Sequence, residues 1–190
     1  MITSLKKLEK NIGFKLYDDV FCLAVDTATK SGLAIVSIRN KQVKISTSLL
    51  VLPTPPKDVE SKADKYESHL ASFVQIIDKE IIAKLPRDIN NSILVLENSF
   101  LSMNVVTFGF LRALQGIVYA KLCDKFTVTK ILFPVTARNL VGFQSKLPKG
   151  SKPKDKKKEI MKFISNIIEE PIKDDNCADA LLLAFAGLKQ

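Results

Sequence analysis

Three groups of acidic side chains adjoin short apolar segments of the chain. Asp26 follows the apolar residues 22–25, Glu97 follows residues 93–96, and a third group comes just before residues 180–185. The third group consists of Asp174, Asp175 and Asp179. The first two runs are typical of strands buried on both faces, in sheets that helices cover, and residues 180–185 belong to a predicted helix. We therefore expect carboxylates from distant parts of the chain to meet at one edge of a sheet.

Carboxylates gathered in this way indicate a metal site. An ionised carboxylate is costly to bury unless an opposite charge neutralises it, and neighbouring carboxylates also repel one another. Mg²⁺ relieves both effects because it prefers hard oxygen ligands, and Mn²⁺ can substitute for it. Two such ions about 4 Å apart can orient a water for in-line attack on a phosphodiester and stabilise the leaving 3′-oxygen. The pattern predicts a two-metal phosphodiester hydrolase.

Length and composition predict one ordinary domain. The chain has 190 residues, of which 46% are hydrophobic, and this is enough for a substantial core. Residues 1–20 are predicted to be an N-terminal extension and residues 21–190 the domain. No apolar run reaches the roughly 18 residues of a membrane span, and residues 1–20 have no apolar signal core. We expect a cytoplasmic protein of a bacterial or phage-infected cell that does not bind membranes.

Most of the positive charge lies in one segment. The formal net charge is +9, and residues 144–162 contain eight lysines against two acidic residues. Pro148, Gly150, Ser151 and Pro153 predict a mobile loop here. A loop of this kind is suited to phosphate contacts that salt weakens, and the alternative is a merely solvated surface loop.

Hydrophobic periodicity predicts an α/β fold with a mixed five-stranded sheet flanked by helices. The predicted strands are residues 21–26, 33–38, 42–52, 92–97 and 127–135. The predicted helices are residues 58–84, 105–122, 156–169 and 175–188.

The order of these elements resembles the ribonuclease H-like fold, and particular motifs resemble the RuvC family of Holliday junction resolvases. The motif runs from Glu97 through Phe100 to Asn104, with Gly116 further along the same predicted helix. The strand ending at Asp26 and residues 135–142 and 178–181 are also similar to that family. The resemblance implies a homodimeric, Mg²⁺-dependent endonuclease that nicks opposing strands of a four-way DNA junction. It implies metal ligands at Asp26, Glu97 and Asp179.

The chain departs from the family pattern beside the last aspartate. The family has an acidic ligand three residues before it, where this chain has Asn176. Asp175 lies four residues before Asp179, on nearly the same helical face, and is predicted to replace that ligand. The alternative is that Asp175 is the helix N-cap, and Asp174 is interpreted as a solvated neighbour.

The resemblance also implies contacts with DNA. Phe100 is predicted to meet the unpaired centre of the junction, the alternative being a core position. Asn104 is interpreted as a helix cap, and Gly116 as a point of close helix contact such as a dimer interface. The residues assigned to DNA binding are Phe100, Arg138, Lys146, Lys149, Lys152, Lys154, Lys156, Lys157 and Lys158.

Other functions are weighed against this one. A sugar-kinase or actin-like ATPase would need two related domains and Gly-rich phosphate turns, which 190 residues with seven glycines do not supply. A nuclease with broader preference for forks and flaps fits the sequence as well. The asparagine at position 176 motivates a third function, junction binding without catalysis. His69 is interpreted as a surface residue, and the sequence identifies no helicase partner.

Overall fold

The computed structural model is an α/β structure and describes residues 1–54, 61–86, 90–99, 105–148 and 150–190. Within these residues the strands are β1 (Ile2–Ser4), β2 (Val20–Asp26), β3 (Lys30–Arg39), β4 (Gln42–Val51), β5 (Ser92–Glu97) and β6 (Val128–Leu132). The α-helices are α1 (Leu5–Ile12), α2 (Lys62–Ile76), α3 (Val105–Leu122), α4 (Pro134–Leu140), α5 (Pro153–Ile168) and α6 (Asp175–Leu188). The predictions for Phe100, Asn104 and Lys149 lie outside the described residues.

The sheet is mixed, with the strand order β1-β4-β3-β2-β5-β6. The strands β2, β5 and β6 run parallel, so their carboxyl ends lie at the same edge of the sheet. The strands β1, β3 and β4 pair antiparallel and extend the sheet on the other side of β2. All seven residues of β2 are buried, as expected for a central strand with helices on both faces.

Two apolar layers hold this sheet between its helices. On one face, Val95 belongs to a core that includes Leu8 of α1, Ile164 of α5 and Phe185 of α6. On the other face, Leu94 belongs to a core formed with α2 and α3. Adjacent residues of β5 therefore point into different cores, which fixes the position of the residue that ends the strand.

A glycine in β3 allows the start of α6 to lie directly on the sheet. A Cβ atom added at Gly32 would lie 1.9 Å from the carbonyl oxygen of Asn176. Only glycine permits this approach of two backbones. Because Asp26 pairs with Gly32 in the sheet, the first turn of α6 lies beside the end of β2.

The structure corrects the prediction at three places. The sheet has six strands, because residues 2–4 form β1, which is too short to recognise from periodicity. The last strand ends at Leu132, since Pro134 begins α4. The predicted mobile loop ends at Lys152, because α5 begins at Pro153, before the predicted start at Lys156, and so includes Lys154.

The helix α3 is unusually apolar. With the short 3-10 turn that follows it, it is the one described helix long and apolar enough to cross a membrane, by length and composition alone. Core helices pass the same test, and Leu114 and Val118 of α3 are fully buried against the sheet. The opposite side of α3 is exposed, with Val105, Val106 and Tyr119 all more than two-fifths exposed.

Candidate active site

The parallel pairing of β2 and β5 brings two carboxylates together. Val25 is the register partner of Leu96, so Asp26 and Glu97 end neighbouring strands at the same edge. The helix α6 packs across β2, β3 and β5 and contributes Asp179 one turn after its start. The side chains of Asp26, Glu97 and Asp179 line one cavity of about 820 Å³. The predicted convergence of these three residues is therefore present in the structure.

Burial and mutual repulsion disfavour the charged forms of these acids. Asp26 is only 8% exposed, and burial, with the charges of Glu97 and Asp179, raises its pKa well above the ordinary value. Burial also raises the pKa of Glu97 and of Asp179, against the opposing effect of Arg138 and Lys157. A hydrogen bond between the side chains of Asp26 and Glu97 adds to the raised pKa of Asp26 and opposes the raised pKa of Glu97. Without a cation, ionisation of all three acids is therefore disfavoured.

The residues in the cavity fit a divalent metal in their chemistry. Carboxylate oxygens are hard ligands of the kind that Mg²⁺ prefers, and Asn176 in the cavity wall offers an amide oxygen. The Thr27 hydroxyl oxygen is buried there with no hydrogen-bond partner among the described residues. No three acidic, histidine or cysteine side chains in the described part of the chain are already spaced to hold a metal ion. The carboxylates would therefore have to draw together around the cation.

The aspartates at the start of α6 make contacts that the sequence did not predict. Asp174 is the N-cap, and its carboxylate accepts hydrogen bonds from the amides of Asn176 at 2.9 Å and Cys177 at 3.4 Å. Asp174 also pairs with Lys30, so it is not merely a solvated neighbour, and Asp175 is not the cap. Asp175 instead accepts a hydrogen bond from Lys157 at 2.5 Å, which lowers the pKa of the Asp175 carboxyl.

Asn176, and not Asp175, is among the residues that line the cavity with the three acids. The role of Asp175 as the fourth ligand stays a prediction, since it would have to exchange Lys157 for a cation.

Cationic side chains lie on the same cavity. Arg138 of α4 and Lys156 and Lys157 of α5 are in its wall, while Lys154 and Lys158 are exposed on α5 outside the lining. Lys152 precedes the helix and is also exposed. The Lys146 amide donates to Glu159 at 2.8 Å, which ties the segment before α5 to that helix.

Sequence reasoning missed the apolar part of the cavity. Leu111, Phe133 and Val135 line it together with the charged groups, and Phe133 is 48% exposed. A signal was present, because Phe133 stands between the end of a strand and the proline that begins a helix. His69, interpreted as a surface residue, is half-buried with its ring 5.9 Å from that of Phe110.

Comparison with solved structures identifies the fold. The RuvC of Thermus thermophilus in complex with a Holliday junction substrate matches with a TM-score of 0.60 and 12% identity, over 88% of this chain and 92% of that chain. A second T. thermophilus RuvC structure matches with a TM-score of 0.52 and 14% identity over the same shares. The yeast mitochondrial Holliday junction resolvase Ydc2 matches with a TM-score of 0.53 and 11% identity, over 95% of this chain and 82% of that chain.

These likenesses confirm the predicted class of fold, an α/β sheet of the ribonuclease H-like type as found in RuvC. No family model and no curated protein matches the sequence. At these identities the comparison shows the fold alone.

The raised pKa values predict how pH affects the stability of the metal-free protein. The folded chain keeps protons on Asp26, Glu97 and Asp179 at pH values where the unfolded chain has lost them. Their stabilising contribution is complete below the ordinary carboxyl pKa of about 4 and is lost as the pH rises through the raised folded-state values. In EDTA at about pH 7.5, we expect the melting temperature of Asp26→Asn to exceed that of the wild type. The difference should be about 2–4 °C for each kcal/mol of repulsion that the substitution removes.

This difference should shrink toward about pH 4, where the wild-type acids are protonated. Thermal melts across that range check it, with Asp124→Asn as the control because Asp124 is exposed away from the cavity. A lower melting temperature for Asp26→Asn at neutral pH would contradict the assigned repulsion.

Proposed function

We propose that this chain is a divalent-metal-dependent endonuclease that resolves four-way DNA junctions by paired nicks. The observation that carries this proposal is the convergence of Asp26, Glu97 and Asp179, next to three cationic side chains, in one cavity. The fold supports the choice of substrate, since the similar solved structures are of RuvC with a Holliday junction and of the resolvase Ydc2.

The residues of the chain would act in two ways. Asp26, Glu97 and Asp179 would hold the cations at the carboxyl ends of the strands. Arg138 and Lys157 would hold the phosphate as charge-assisted donors. A pair of bound Mg²⁺ ions supplies Lewis-acid stabilisation of the charge that develops on the phosphodiester. A water adds to phosphorus and the bond to the 3′-oxygen breaks, which leaves a 5′-phosphate and a 3′-hydroxyl.

The basic residues of α5 extend from this cavity. Lys156 and Lys157 line it, and Lys154 and Lys158 continue the positive surface along the first turns of the helix. A helix holds these ammonium groups at a fixed spacing, and it includes Lys154, which the sequence had placed on the mobile loop. We infer that this surface, with Lys146, Lys149 and Lys152 before it, follows the DNA backbone.

A second copy of the chain would cover the exposed side of α3. Five small or apolar residues recur there with alternating steps of three and four: Val106, Gly109, Ala113, Gly116 and Ala120. This spacing is that of a seam between two packed helices. A Cβ added at Gly109 or Gly116 meets nothing within 4 Å in the chain, so no contact within the chain requires glycine there. We infer a homodimer in which the glycines let two α3 helices approach closely.

Removing one carboxylate should separate cleavage from binding. We expect Asp26→Asn or Glu97→Gln to abolish nicking of a synthetic four-way junction in Mg²⁺ while binding is kept or becomes tighter, because one charge that repels phosphate is gone. Gel assays of nicking and of binding measure the two effects, with Asp124→Asn as the control. Loss of binding together with cleavage would contradict the ligand assignment.

Two other outcomes identify the rival functions. Binding without nicking by the wild type in both Mg²⁺ and Mn²⁺ would mean that the chain is a junction-binding protein. Asn176 in the cavity wall, where the family has an acid, is the observation that favours this rival. Equal nicking of forks, flaps and junctions would indicate a broader nuclease.

The α5 lysines should account for part of the salt dependence. Replacing Lys156, Lys157 and Lys158 with alanine should weaken junction binding. It should also make the negative slope of log K against log salt less steep, by about 0.9 for each phosphate that the variant no longer neutralises. The control replaces Lys6, Lys10 and Lys44, three exposed lysines outside the cavity lining, and should leave the slope unchanged. An unchanged slope in the α5 variant would mean that α5 does not touch DNA.

The proposed dimer is tested by a charge in the α3 seam. Gly116→Arg places a long cationic side chain on an exposed helix position, so the monomer should still fold while two α3 helices can no longer meet. Sedimentation velocity should show a dimer for the wild type and a monomer for the variant. Asn166→Arg, exposed on α5, is the control and should remain a dimer. A monomeric wild type would contradict the proposal.

A further inference from the structure

The lining of the active-site cavity combines charged and apolar side chains. Its charged part includes Asp26, Glu97 and Asp179 with the cationic groups near them. Its apolar part includes Leu111, Phe133 and Val135. A site that bound only the sugar-phosphate backbone would have no use for the apolar part, because the backbone presents charged and polar groups.

Phe133 is the aromatic group in this apolar part of the lining, and nearly half of its surface is exposed. The described ring pairs join Phe21 with Phe126, Tyr66 and His69 with Phe110, and Phe143 with Phe163, and none of them includes Phe133. The ring is therefore both open to solvent and free of stacking on another described aromatic side chain.

The backbone holds Phe133 in a fixed place. Leu132 is the register partner of Glu97, and its carbonyl accepts a hydrogen bond from the Asn98 amide at 2.8 Å. The Phe133 carbonyl accepts from the Ala137 amide at 2.9 Å, which begins α4. Pro134 also confines Phe133 to an extended conformation, with φ −67° and ψ 145°. Phe133 therefore follows the strand beside Glu97 on a rigid support.

A nucleotide matches this division of the cavity. Its phosphate is anionic and its base has an apolar π face, on which an aromatic side chain stacks without regard to sequence. A base in a paired, stacked duplex presents only its edge in a groove, so stacking requires a base that has left the helix. Branched DNA supplies such bases at its centre.

We propose that Phe133 stacks on a nucleobase unpaired at the branch point, next to the phosphate held by Arg138 and Lys157. The inference rests on the proposed function and names a positioning contact for its substrate. It adds a stacking side chain to the one predicted at Phe100, which lies outside the described residues. The ring would place the neighbouring phosphate in the cavity and favour branched DNA over continuous duplex.

The test is a thermodynamic cycle between this side chain and the base. The proteins are the wild type, Phe133→Ala and Phe133→Trp, and binding is measured in EDTA so that no strand is cut. The DNAs are a fixed four-way junction and a duplex of the same sequence. A further set of junctions each carries one abasic nucleotide at a position beside the crossover. Tyr17→Ala is the control, because Tyr17 is also an exposed aromatic residue but does not line the cavity.

We expect Phe133→Ala to weaken binding of the intact junction by about 5-fold to about 150-fold, the range for loss of one stacked base. The loss should disappear on one of the abasic junctions, where no base remains to stack. Phe133→Trp should bind like the wild type, and Tyr17→Ala should bind all DNAs like the wild type.

An equal loss on the intact and on every abasic junction would overturn the inference. If sedimentation also showed a change of mass for Phe133→Ala, the ring would belong to an interface between copies. The proposed function can fail separately from this inference. If the wild type bound the junction no better than the duplex, the specificity for junctions would be wrong. The stacking contact would still hold if the effect of Phe133→Ala disappeared on one abasic DNA. A wild type that bound none of these DNAs would overturn both.

Discussion

The crowding of three carboxyl groups at a buried sheet edge is the constraint on which the rest of the structure depends. Asp26 is almost fully buried, and its pKa is raised by that burial and by the neighbouring charges of Glu97 and Asp179. Such an arrangement costs folding free energy unless a compensating charge is bound. The basic side chains that surround the three acids reduce this cost.

Compensation comes from α4 and α5, which bring Arg138, Lys156 and Lys157 to the cavity. The positive charge of Lys157 opposes the burial that raises the pKa of Glu97 and of Asp179, while its ammonium pairs with Asp175. The chain thus carries cations beside its acids, though not enough to ionise all of them easily. A divalent ion would complete the neutralisation, and the same positive groups would then be available to phosphate.

The sequence allowed the central sheet to be predicted because apolar runs such as β2 have few other solutions in a soluble α/β protein. It did not show which of two neighbouring residues with similar propensities takes a given structural role. Asp174 and Asp175 are both good caps, and the sequence does not show which of them takes this role, which Asp174 has in the structure. Pro153 at the first position of α5 was a usable signal for the helix start, but it was interpreted as a loop residue. Phe133 was missed because residues 127–135 were predicted as a single strand, so its position before the helix that begins at Pro134 was not used.

The central claim is that acids from β2, β5 and α6 gather around divalent cations. The most direct measurement is an anomalous difference map from crystals soaked in Mn²⁺. The account predicts manganese peaks at about 2 Å from carboxylate oxygens of Asp26, Glu97 and Asp179, with these side chains drawn closer together. Fully soaked crystals whose manganese lies elsewhere, with Asp26 and Glu97 still hydrogen bonded to each other, would contradict it.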